Sequence, residues 1–137
     1  MLTDFYSYIS GDATLRALIT GATAGSSRIY PEVAPEDTAA PYLIYGPVKE
    51  GSLDEIMDMM TIQVSVFAAQ HDQLSADNII NRLKVLLDKQ DQIQDCIPST
   101  TYNIYWAKHI GGLSNFVSET REYHRAAMFA FKYKLKA

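Results

Sequence analysis

The stretch TIQVSVFAAQHDQLSADNIINRLKVLLDKQ, Thr61 to Gln90, changes its apolar period part-way along. Ile62, Val64 and Val66 alternate with Thr61, Gln63 and Ser65, the two-residue repeat of a strand with one buried face. Beyond "HDQ", Leu74, Ile79, Ile80, Leu83, Leu86 and Leu87 form an apolar stripe, with Asp77, Asn81, Arg82, Lys84 and Asp88 on the other side. That is the stripe of an amphipathic helix lying on a core. Asp72 stands where an N-cap belongs, and Lys89 lies near the C-terminal end, where a cation suits the helix dipole. A half-buried strand feeding a helix sets the expectation of a sheet with helices packed against it.

Working back from this segment, PYLIYGPVKEG reads as a strand, with Tyr42 and Ile44 on one face and Leu43 and Tyr45 on the other. Gly46-Pro47 predicts a bend or bulge within it. Gly51-Ser52 is read as the turn of an acidic hairpin, KEGSLDEIMDMM, that returns into the 61–68 strand. Further upstream, RIYPEVAPEDTAAPYLIYG places a short extended piece before a small, acidic loop. Pro31 cannot donate to a ladder, so that piece stops there or lies at a sheet edge. Pro31, Pro35 and Pro41 lower the entropy of the connection, which makes it either a plain surface connector or a contact arm held ready for a neighbour. Near the start, Leu2, Phe5, Tyr6 and Ile9 share a helical stripe, and Leu15, Leu18 and Ile19 continue it beyond Gly11-Asp12. Asp12 is placed to cap the second piece, and GATAGSS ends it.

Downstream, DQIQDCIPST breaks the long helix at Pro98, TYNIYWAKHI reads as strand, and GGLSNFVSET as a loop opened by Gly111-Gly112. The last stretch, REYHRAAMFAFKYKLKA, is a long strand. Tyr123, Arg125, Ala127, Phe129, Phe131, Tyr133 and Leu135 share one face, and His124, Ala126, Met128, Ala130, Lys132, Lys134 and Lys136 the other. Strands joined as hairpins predict an α+β fold: a mostly antiparallel sheet of four to five strands, with the N-terminal and central helices on one face. Residues 1–137 are read as a single domain, a common size for one.

Composition narrows the function. Net charge is -4, so a basic footprint over the whole domain, as nucleic-acid binders carry, is lacking. The single cysteine, Cys96, cannot close an internal disulfide, which fits a reducing compartment. The N-terminus reads as neither a signal peptide nor a membrane span. His71, His109 and His124 lack partners at zinc spacing, and Cys96 beside Ile97-Pro98 has no local base, so these are read as surface or partly buried histidines and an inert thiol. Glu50, Asp54, Glu55 and Asp58 crowd a hairpin tip, where solvation denies them the asymmetry that acid–base catalysis needs. They form either an edge that discourages aggregation or an electrostatic partner surface. Met57, Met59 and Met60 at the hairpin base are either core or an adaptable contact. Lys132, Lys134 and Lys136 make a basic row, either a solvated edge or a contact for nucleic acid. No phosphate loop, dinucleotide fingerprint or nucleophile elbow occurs, and no cofactor or metal is expected.

The order of these features resembles the tail-completion and tail-terminator proteins of long-tailed bacteriophages. The resemblance rests on an N-terminal helix ending in small residues, R-I-Y-P followed by P-Y-L-I-Y, the strand Q-V-S-V-F-A, a helix opening near LSADNIINRL, and the closing strand YHRAAMFAFKYKL. It spans nearly the whole chain, and its patterns are β-branched and aromatic rather than catalytic. The methionine-rich acidic hairpin departs from them. The resemblance implies a structural, non-enzymatic role: a ring, commonly a hexamer, that caps the tail tube and joins it to the head connector, with DNA passing through. It further implies a virion component, at the head–tail interface, made in the host cytoplasm from a phage or prophage gene. Candidate interface residues are Glu32, Glu36 and Asp37 in the proline-rich loop, Glu50, Asp54, Glu55 and Asp58 in the hairpin, and Lys132, Lys134 and Lys136 in the last strand. The alternatives are another head-completion or minor tail protein, or an α+β domain that binds a small molecule or nucleic acid.

Overall fold

The structure, a computed structural model, describes residues 1–20, 28–35, 38–52, 57–88, 97–117 and 121–136. In chain order the elements are α1 (Leu2–Ser10), α2 (Ala13–Thr20), β1 (Ile29–Pro31), β2 (Tyr42–Ser52), β3 (Asp58–Ala69), α3 (Gln73–Leu87), β4 (Tyr102–Val117) and β5 (Glu122–Leu135). The strands form one sheet in the order β1-β2-β3-β5-β4. All pairings are antiparallel except β1 with β2.

One face of the sheet carries the core. Ile62, Val64 and Val66 of β3 are fully buried, paired with Phe129, Ala127 and Arg125 of β5. Leu43, Ile104, Ala107 and Phe131 join them, under Phe5, Ile9, Leu15, Ile19, Ile79, Ile80 and Leu83 from the three helices. Full burial of each aliphatic side chain stabilises by about 1.5–3 kcal/mol, which is why the period-2 and period-3.6 stripes meet on this side. The helical stripe differs from expectation at one place. Leu74 is 70% exposed and Ala76 takes a buried position, because the two residues stand about 200° apart around the helix and Ala76 is the one in line with Ile79, Ile80 and Leu83.

The caps follow the sequence. Asp72 accepts from the Ser75 backbone N–H and hydroxyl at the start of α3. Asp12 accepts from the Leu15 N–H at 2.8 Å, starting α2, and also takes two bonds from Arg82 of α3, Nε to Oδ2 at 2.9 Å and Nη2 to Oδ1 at 2.7 Å. One carboxylate thus caps a helix and clasps it to the next. The bonds from Arg82 hold the Asp12 carboxyl below its ordinary value, against an opposing push from burial. Because its folded value is depressed, the stabilisation is complete above the unfolded carboxyl value and fades as pH falls below about 4. Asp12→Ala is expected to cost about 1 kcal/mol from the lost cap alone, with further loss from the broken clasp. Urea titrations at pH 7 and pH 3 check it: the gap between wild type and variant should shrink at the lower pH.

Two expectations are corrected. Gly51 and Ser52 do not turn the hairpin. They are strand residues paired with Met59 and Asp58, so β2 continues to Ser52 and β3 begins at Asp58. Gly111-Gly112 does not open a loop, since β4 runs through it to Val117. Gly111 sits at φ +154° beside a register shift between His109 and Gly111, and a Cβ on Gly112 would lie 2.4 Å from the Ala126 carbonyl oxygen. These glycines serve a β-bulge and a close strand approach, the alternative meaning of glycine within a strand pattern. β1 stops at Pro31 at the sheet edge, as its sequence suggests, and runs parallel to β2. It has only three residues, and the proline-rich connection follows it. Arg28 ties its far end, donating through Nη1 to the carbonyls of Ala39, Ala40 and Pro41 at 3.1, 3.3 and 3.4 Å.

Candidate protein interface

The sheet face turned away from the helices is the first surface of interest. Alternation puts Tyr42 and Ile44 of β2, Gln63, Ser65 and Phe67 of β3, and His124, Ala126 and Met128 of β5 on it. Tyr42, Phe67 and His124 stack in a row across three strands, with ring centroids 5.1 and 4.6 Å apart. Burial pushes the His124 imidazole below its ordinary value, which favours the neutral ring that stacks on Phe67. At the other end of this face the Lys132 ammonium lies 4.5 Å from the centre of the Trp106 ring. An exposed cation–π contact of this kind contributes about 0.5–1 kcal/mol.

The expected site residues separate. Glu32 follows β1 at φ 61°, is exposed, and donates its backbone N–H to the Tyr45 carbonyl at 2.8 Å. Glu50 is exposed on β2, opposite Met60. Asp58 opens β3 opposite Tyr133, and Met59 lies opposite Lys132. Tyr133 is pushed above its ordinary value by burial, with Asp58 and Glu50 adding to the push. The acidic hairpin stem and the basic row are therefore neighbours at one end of the sheet, within one chain. Lys132 and Lys134 lie on the open face; Lys136 is beyond the strand, its Nζ bonded to the Ser99 carbonyl. Of the three methionines, Met60 is core at 5% exposure, and Met59 faces the open side. Glu36, Asp37, Asp54, Glu55 and Cys96 lie outside the described residues.

Sequence reasoning anticipated a bend or bulge in β2 and missed the two in β4. Val48 in β2 and Tyr105 and Ile110 in β4 each stand out of register, and each is a large exposed apolar side chain. Gly46-Pro47 signalled the first; only the Gly111-Gly112 pair pointed to the last. Trp106 was also missed, because its partner Lys132 comes from the neighbouring strand and not from its own sequence neighbourhood. Among the described residues no three His, Cys, Asp or Glu side chains stand where they could hold a metal ion. No helix among them is long and apolar enough to cross a membrane. The surface depressions are open clefts. One, of about 300 Å³, brings Lys84, His109 and Arg125 together between α3 and β4. Arg125 there is already engaged by Asp77.

Fold and surface define a class: a small α+β protein with one sheet face packed by helices and large apolar side chains set out along the sheet edges. The chain belongs to the tail completion protein gp17 family, whose model matches residues 4–103, and is thus a structural protein of the bacteriophage tail. A chain in the virion of a native gene transfer agent (GTA) particle shares the fold, with a TM-score of 0.65 at 19% sequence identity over 96% of this chain and 91% of that one. No curated protein matches the sequence significantly.

Proposed function

We propose that the protein completes the tail by forming a ring, a hexamer in the simplest case, that caps the tail tube and meets the head connector, with DNA passing through without sequence-specific contact. Membership of the tail completion family is the observation that carries this reading. A non-enzymatic role belongs to this reading and rests on the same family membership. The neighbouring acidic stem and basic row, at one end of the sheet, suit electrostatic contact with a partner that meets that end. In this reading Glu32, Glu50, Asp58, Lys132, Lys134 and Lys136 are interface residues, together with Glu36, Asp37, Asp54 and Glu55, and residues 1–137 act as one domain of the virion at the head–tail interface, made in the bacterial host.

The test is assembly on tail tubes. Purified protein mixed with tubes is expected to add a ring of density at one tube end by cryo-microscopy, and to sediment with the tubes. A chain that stays monomeric and leaves tube ends bare would count decisively against the proposal.

A further inference from the structure

Three strand residues fall outside the ladder register: Val48 in β2, and Tyr105 and Ile110 in β4. They are 56%, 42% and 46% exposed. A bulge re-aims the side chain of its extra residue and bends the strand, so these positions present exposed apolar side chains on the strands nearest the two sheet edges. Pairing across the sheet fixes their relative heights. Pro47 pairs with Ile62, Ile62 with Phe129, and Phe129 with His109. Val48 follows Pro47 and Ile110 follows His109, so the two bulges flank the same rung from opposite edges, within roughly one residue's rise of 3.4 Å.

The edges themselves are poorly suited to continuing the sheet. Pro31 ends β1, Pro47 lacks an N–H, and β4 is interrupted twice by bulges. Such features block strand addition and leave side chains as the means of contact. On the β2 side those side chains form a hole. Glu32, Ile44, Pro47, Val48 and Gln63 line a cleft of about 330 Å³, with the Glu32 side chain beside Gly46. On the β4 side they form a knob: Ile110, with exposed Lys108 two residues before it. Lys108 shares a rung with Ala130 and Thr61, two rungs from Gly46. That is roughly 7 Å along the strands, a span the lysine stem can cover to reach Glu32.

We propose that the partner of the β4 edge is a second copy of this chain, with Ile110 seated in the Glu32–Val48 cleft of the next copy and Lys108 paired with its Glu32. Knob and hole are different patches on opposite edges of one sheet, at the same height and of opposite charge. That is a heterologous interface, the kind that closes into a ring when copies stand side by side about an axis along the strands. The inference rests on the ring reading above and names the contact that builds the ring.

Cysteine pairing tests it in a Cys96→Ser background, with tail tubes present. Val48→Cys and Ile110→Cys proteins, mixed and mildly oxidised, are expected to give a covalent dimer that neither gives alone. The double variant is expected to give a ladder ending at the closed ring. Lys108→Glu is expected to weaken assembly about tenfold or more, and Glu32→Lys in the same chain to restore it. Circular dichroism of each variant confirms that the exposed substitutions leave the fold intact. Rings that form without the cross-link, or that ignore Lys108→Glu, overturn this interface and leave the ring standing. If the unsubstituted chain forms no ring on the same tubes, the ring reading falls with it.

Discussion

Phe5→Ala is expected to lower stability by about 4 kcal/mol, the middle of the range for a buried phenylalanine. Phe5 is fully buried. Its ring lies 5.4 Å from that of Tyr45 and meets Phe131 edge-on at 5.8 Å, which joins β2 and β5 to the first helix. α1 has nine residues, too few to persist as a helix on its own, and Phe5 and Ile9 are its buried anchors. Truncation therefore leaves a cavity over the sheet and loosens the helix that covers it. Tyr8, whose hydroxyl donates to the Leu86 carbonyl at 3.2 Å, adds a part-buried bond near the far end of α1. Urea unfolding measures the loss, and Phe5→Leu should recover more than half of it. A loss below about 1 kcal/mol would mean that α1 contributes little to the cooperative core.

Gly112→Ala is expected to be nearly as damaging, at about 3 kcal/mol, although it adds a single methyl group. The new Cβ would sit 2.4 Å from the Ala126 carbonyl oxygen and 3.5 Å from the Ala127 Cα. Both are backbone atoms of β5, the adjacent strand of a long antiparallel pair, so no side chain can swing aside. Either the rung opens or the bulge at Ile110 is lost. Gly51→Ala is the control, since nothing lies within 4 Å of a Cβ there, and it should change stability by no more than about 0.5 kcal/mol. Equal melting temperatures for the two variants would show that residues 111–117 behave as the loop that glycine-pair reasoning expects.

That contrast shows why part of the molecule was legible and part was not. The alternation at 61–68, the stripe at 79–87 and the two faces of 122–135 are local patterns, and the core lies where they place it. Asp12 and Asp72 could be read as caps because a cap acts within three residues. The Arg82 clasp on Asp12 could not be read, since its partners are 70 residues apart. Gly111-Gly112 supported two readings with the same local signal, loop or bulge, and only the approach of β5 chose between them. The proposed interface was legible in part. Glu32 and the basic row were visible as charges, whereas the heights of Val48 and Ile110 depend on pairing through three intervening ladders.

By itself, then, the sequence determined where the helices and the middle of each long strand lie, which faces are apolar, and that the chain resembles tail-completion proteins, because periodicity and residue type act over a few neighbours. The tertiary structure alone decided that β1 runs parallel to β2, that the acidic stem lies beside the basic row, and that two bulges share a rung at opposite edges. Those outcomes follow from strand order and register, which are set by burying every apolar face at once and not by any one segment.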